Sequence, residues 1–115
     1  MGRLVKPRTV CCDQEKTFIP EAGLINDKVQ LTIEEYETIR LIDYAKISQL
    51  ECSLMMNVAR TTVQAIYEVA RFKIADALMH QKALVIKGGN YTLCHHGSEF
   101  KYCAKNNSSM KQTED

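Results

Sequence analysis

The 115-residue chain lacks any long apolar run, and no stretch approaches the roughly 18 residues of a membrane-spanning helix. Residues 1–8 also lack the apolar segment and cleavage pattern of a secretion signal. Both absences predict a cytoplasmic protein with no membrane partner. A surplus of charge is missing too: 15 Lys+Arg stand against 14 Asp+Glu, so the total supplies no bulk pull on nucleic acid. Any nucleic-acid role must come from where the charges lie. The five cysteines, an odd number, cannot all enter internal disulfides, and without a secretion signal they read as thiols. Catalytic patterns are absent as well. There is no Ser-His-Asp order and no carboxylate pair framing a cleft. Gly88 and Gly89 join two strand-like runs and so do not form a phosphate loop opening a helix. These absences predict that the protein is not an enzyme. The 45% hydrophobic share is ordinary for a globular chain and excludes wholesale disorder, and the length limits the chain to one domain.

What is present falls into four stretches. Residues 1–31 begin with Arg3, Lys6 and Arg8 and no acid among the first ten, a basic arm. Pro20, Gly23, Asn26 and Asp27 then interrupt any long periodic element, which predicts a loop-rich approach with one short strand. Residues 32–80 are helical in pattern. Thr32 with Glu35, and Ser48 with Glu51, have the spacing of the capping box and open a helix over about 33–44 and a second, short one running through Met55 or Met56. A third helix follows from Arg60 to Met79 or His80, with Val63, Ile66, Ala70, Ile74 and Leu78 at intervals of three and four. In residues 81–103, the β-branched run beginning at Ala83, the Gly88-Gly89 turn and the run beginning at Asn90 predict a β-hairpin. Residues 104–115 hold almost nothing to bury and predict a disordered tail. The expected fold class is therefore mainly α, a helix-turn-helix three-helix core flanked by the basic arm and a short C-terminal hairpin.

The second and third helices meet the positional demands of a helix-turn-helix. Ser53 is small where the helices cross, and Asn57 tolerates the left-handed backbone a tight turn needs. Val58 plugs the corner, and Val63 with Ile66 face inward. With about 100° per residue and Val63 inward, Thr61, Ala65, Glu68 and Phe72 point outward, flanked by Thr62 and Gln64. In a major groove, Gln64 suits a bidentate pair with adenine, and Thr61, Thr62 and Ala65 suit thymine methyls. Arg60 suits phosphate or guanine, and Arg71 and Lys73 suit the DNA backbone. Phe72 demands a cover, either the hairpin or a second subunit of a homodimer. The acids of the first helix, Glu34, Glu35, Glu37 and Asp43, should face away from DNA.

The runs from Leu31 to Asp43, Ile47 to Gln49, Asn57 to Gln64, Ala70 to Leu78 and Lys82 to Tyr91 resemble a family of small prokaryotic proteins. These are grouped as a domain of unknown function and regarded as DNA-binding, with a helix-turn-helix similar to region 4 of sigma-70-type factors. The stretch ending in Arg8, Thr9, Val10 and Cys11, and the later Phe18, Ile19 and Pro20, extend the resemblance to roughly residues 3–93. It implies a transcription-related role on double-stranded DNA, with RNA polymerase or another transcription protein as an alternative partner, and implies no catalytic activity. Two positions depart from the pattern. Asn57 stands where relatives have Gly, and Ala59 stands where they have Ser, which removes a helix cap worth about 1 kcal/mol.

Cysteine and histidine cluster near both ends. Cys94, His95, His96 and Cys103 follow the expected hairpin, and Cys11 and Cys12 close the arm. Zinc takes four N or S ligands. No Cys-x-x-Cys is present, so a zinc site would have to join arm to tail. The alternative is thiols packed as small apolar residues, the reading that also suits Cys52. A metal- or redox-responsive sensor is the function such chemistry would serve. His80, at the end of the third helix, suits the negative end of the helix dipole.

Overall fold

The spacing of Thr32 and Glu35 does what a capping box does. In the computed structural model, which describes residues 6–21 and 27–94, Thr32 Oγ1 accepts the Glu35 N–H at 3.2 Å and Glu35 Oε1 accepts the Thr32 N–H at 2.9 Å. Helix α1 spans Ile33–Thr38 and runs directly into a π-helical stretch, Ile39–Tyr44. There the Ala45 N–H bonds to Arg40 O at 2.9 Å, one residue further back than in an α-helix. The extra residue per turn re-phases the side chains, which is why the apolar positions of this stretch form no clean stripe in the sequence. Helix α2 spans Gln49–Met56, with Ser48 Oγ accepting the Glu51 N–H at 3.0 Å.

Asn57 then ends α2 in the left-handed conformation (φ 59°, ψ 46°), and helix α3 runs over Arg60–Met79. Between them, Ser53 is buried with its hydroxyl donating to Leu50 O at 2.6 Å, and Val58 packs on the core. Val63, Ala70 and Ala77 form the buried side of α3.

The mainly α expectation fails, because five strands lie among the described residues: β1 (Arg8–Val10), β2 (Lys16–Phe18), β3 (Lys28–Leu31), β4 (Ala83–Ile86) and β5 (Tyr91–Leu93). The fold is mixed α/β, with two small sheets. In one, β4 lies between β2, to which it is antiparallel, and β3, to which it is parallel. The other pairs β1 with β5 in parallel. The expected hairpin of residues 83–93 does not form. The Ile33 N–H bonds to Gly88 O at 2.9 Å, and the Glu34 carboxylate accepts the Asn90 N–H at 3.1 and 3.2 Å. The N-terminus of α1 thus holds the connection open and sends β5 to a different partner. Gly88 and Gly89 take positive φ, and a Cβ on Gly89 would run into the Glu34 carboxylate.

The basic arm is also shorter than expected, since Arg8 already belongs to β1. One apolar core draws on the whole described length, from Val10 and Leu31 through Leu41, Met55, Met56 and Val63 to Ile86 and Cys94. Glu37 is buried within it. Its carboxylate takes two bonds from Arg40, each 3.0 Å, and the Cys11 N–H at 3.0 Å, tying β1 to α1. Burial works against the charge on Arg40, but the Glu37 carboxylate outweighs it and holds the guanidinium protonated above its ordinary range. No helix among the described residues is long and apolar enough to cross a membrane.

Candidate nucleic-acid interface

One face of the N-terminal half of α3 is exposed while Val63, on the opposite face, is buried in the core. Arg60, Thr61, Gln64, Ala65 and Glu68 are exposed, and Thr62 is half-buried. Gln64 Nε2 donates weakly to Glu68 Oε2 at 3.4 Å, an exposed bond along the helix. The residue before the helix, Ala59, has the extended backbone of an N-cap (φ −68°, ψ 152°) but supplies no side-chain bond, and the first turn carries no acid. The orphan N–H groups and the dipole of the helix therefore face outward unopposed, a setting that favours an anion.

Lys6 lies beside this end of the helix. Together with Ser53, Leu54, Asn57, Val58 and Ala59 it lines an open depression of about 250 Å³ against the turn. The N-terminal arm and the start of α3, 54 positions apart between Lys6 and Arg60, are thus neighbours. Arg8 is turned inward: it is half-buried in β1, its Nη1 donates to Lys6 O at 3.4 Å, and its Nε is buried without a hydrogen-bond partner. Arg3 lies outside the described residues.

The later cations of α3 are engaged within the chain. Arg71 pairs with Asp43 at 3.6 Å while remaining largely exposed, and its guanidinium lies 5.4 Å over the Tyr67 ring. Lys73 is turned back onto α1, 2.7 Å from Glu35. Sequence reasoning missed Tyr67, whose hydroxyl donates to Asp43 Oδ1 at 2.6 Å and braces α3 against the π-helical stretch. Burial, then the bond to Asp43, hold its hydroxyl protonated above the usual tyrosine range, with Arg71 opposing. The only sequence signal was Tyr67 standing four residues before Arg71; its acid partner is 24 residues away. Phe72, expected to be covered, is 71% exposed, and β4 and β5 are paired elsewhere. Leu50 and Leu54, one helical turn apart on α2, are also exposed.

Cys11 and Cys94 are brought together by the β1–β5 pair, with the Cys94 N–H donating to Val10 O at 2.8 Å. Cys12 is half-buried beside them, while His95, His96 and Cys103 lie outside the described residues. Among the described residues no group of three or more His, Cys, Asp or Glu is arranged to hold a metal. Cys52 is core, its thiol pushed up to about 12 by burial and the Glu37 charge, against the pull of Arg40. His80 Nδ1 lies 2.8 Å from Asp76 Oδ1 at the end of α3.

Residues 1–94 match the family described as "Protein of unknown function DUF134", and the chain belongs to that family. A UPF0251 protein of Desulfitobacterium hafniense strain Y51 is 52% identical over 98 residues, covering 82% of this chain and 78% of the relative. One from Thermoanaerobacter pseudethanolicus is 51% identical over 94 residues, 79% of this chain and 80% of the relative. Another, from Caldanaerobacter subterraneus, is 43% identical with the same coverage. No solved structure matches the chain.

Proposed function

We propose that the protein is a cytoplasmic, sequence-specific DNA-binding regulator of transcription, with α2, the Asn57 turn and α3 acting as a helix-turn-helix similar to sigma region 4. One observation carries the reading: the exposed, uncapped and acid-free start of α3, which presents Arg60, Thr61 and Gln64, with Lys6 against the turn that precedes it. Here α3 enters the major groove, its free N–H groups and Lys6 meet phosphate, and Gln64 reads a base edge. Arg71 adds a backbone contact, and Lys73, spent on Glu35, adds less. A second copy covers Phe72 and matches a two-fold site. Selection of bound sequences from random duplex DNA at two salt concentrations tests this. A recovered consensus, bound more weakly as salt rises, supports it; the absence of enrichment at either salt overturns it.

The exposed pair Leu50 and Leu54 favours a second reading, a contact between α2 and RNA polymerase or another transcription protein. Loss of a co-purifying polymerase on Leu50→Glu, with DNA retention unchanged, would select it.

A further inference from the structure

The β1–β5 pair brings two thiols from distant parts of the chain to one step of a ladder. Its register sets Arg8 opposite Tyr91, Thr9 opposite Thr92 and Val10 opposite Leu93. The bond from the Cys94 N–H to Val10 O continues the pairing to the point where Cys11 follows Val10 and Cys94 follows Leu93. Both side chains are buried, at 6% and 1% exposure, and neither is in a disulfide. Neighbouring strands lie roughly 4.8 Å apart, inside the window of about 4.4–6.8 Å between Cα atoms that a disulfide accepts. The Arg40 guanidinium and the Glu37 carboxylate, paired with each other, both lie close to Cys11, the carboxylate accepting its N–H at 3.0 Å. A small oxidant reaches the two buried thiols when this short pair of three-residue strands opens.

We propose that Cys11 and Cys94 are a redox pair that a peroxide converts to a disulfide, stapling β1 to β5 and holding Lys6 against the turn before α3. The Cys11 thiolate attacks one peroxide oxygen, the O–O bond breaks, and the departing hydroxide takes up a proton as water. The Cys94 thiol then attacks the resulting sulfenic sulfur; the S–S bond forms, the S–O bond breaks, and the hydroxyl leaves with the thiol proton as a second water. Two electrons pass from the two sulfurs to one peroxide. The bond closes a loop of 83 positions and so removes much of the freedom of the unfolded chain. Cys52, high in pKa and on α2, takes no part.

The effect on DNA rests on the DNA-binding reading above; the disulfide does not. The test uses the full chain, reduced, treated with hydrogen peroxide, capped at remaining thiols and digested without reductant. The expected product, mapped by mass spectrometry in a Cys12→Ser background, joins Cys11 to Cys94, and Tm rises by ~10 °C or more. The rise persists in Cys12→Ser and Cys103→Ser and is lost in Cys11→Ser and Cys94→Ser. A linkage through Cys103, a lone sulfinic acid, or an unchanged Tm in the wild-type chain overturns the proposal without relying on any variant. With the duplex recovered by selection, oxidation should tighten binding several-fold in the wild type and leave Cys94→Ser unchanged. A cross-link that forms without altering binding overturns the hold on Lys6. A reduced protein that binds no duplex sinks the DNA reading alone.

Discussion

Ala59→Ser isolates the feature on which both the stability of α3 and its proposed contact with phosphate depend. Ala59 already has the extended backbone of an N-cap, is exposed, and offers no side-chain acceptor to the first turn of a 20-residue helix. A serine hydroxyl there can accept an orphan N–H with no backbone movement and no steric conflict. The gain should be about 1 kcal/mol, read as a Tm rise of roughly 5 °C for a domain of this size, with the urea midpoint raised and the m-value unchanged. Ala59→Asp adds the attraction between a carboxylate and the helix dipole, so it should stabilise at least as much. It should also weaken DNA binding, because the carboxylate occupies the N–H groups and repels the phosphate. Ala59→Gly should recover most of the serine gain, falling short of it by a few tenths of a kcal/mol. Thermal unfolding followed by circular dichroism, together with duplex retention for the same proteins, checks all three. If Ala59→Ser leaves a folded protein with unchanged or lower Tm, the helix start is satisfied in another way and the reasoning fails. If Ala59→Asp binds duplex like the wild type, no phosphate sits there.

Other perturbations test the framework around this helix. Glu37→Ala should cost about 3 kcal/mol or more in urea denaturation, because it strands a mostly buried Arg40 and removes the acceptor of the Cys11 N–H. Gly89→Ala should destabilise by about 1–3 kcal/mol, since φ of 113° disfavours an L side chain and the Cβ meets the Glu34 carboxylate; an unaltered urea midpoint would mean that Glu34 does not hold the loop open. Asp76 is held below the ordinary carboxylate range by its hydrogen bonds from Lys82 and His80. Its contribution is therefore present above the unfolded pKa of about 3.9 and lost as pH falls through the lower folded value. Asp76→Asn should flatten the acid limb of stability against pH below about 4 and leave its slope at neutral pH unchanged.

Local signals were legible in the sequence, and long-range pairing was not. Thr32, Ser48 and Asn57 act within a few residues of themselves, and each marks the helix boundary that its chemistry implies. Left-handed residues without that chemistry, Lys46 and Gln81, carried no such mark. β4 and β5 were legible as runs but not their pairing, and only one short strand was expected among residues 1–31 where three form, because each is three or four residues long, too short for alternation to rise above the loops around it. Their partners are also remote: Lys28 pairs with Ala83 and Arg8 with Tyr91. Gly88 and Gly89 look like a hairpin turn to any local reading, and only Glu34, 55 positions before Gly89, shows that the turn is held open. In the candidate interface the outward residues of α3 followed from helical phase alone. The inward turn of Lys73 onto Glu35 did not, because a long side chain goes where its partner is. Lys6 was named for its charge, while its place beside Asn57 depends on β1 pairing with β5.

The central claim, that the start of α3 reads bases in the major groove, is tested most directly by equilibrium binding of the wild type and Gln64→Ala. The duplexes are the one recovered by selection, its single-base variants and a scrambled sequence, all at one salt concentration. The claim predicts that Gln64→Ala loses about 1–3 kcal/mol of discrimination at one adenine position while binding the scrambled duplex as the wild type does. Equal discrimination by both proteins at every position would contradict it.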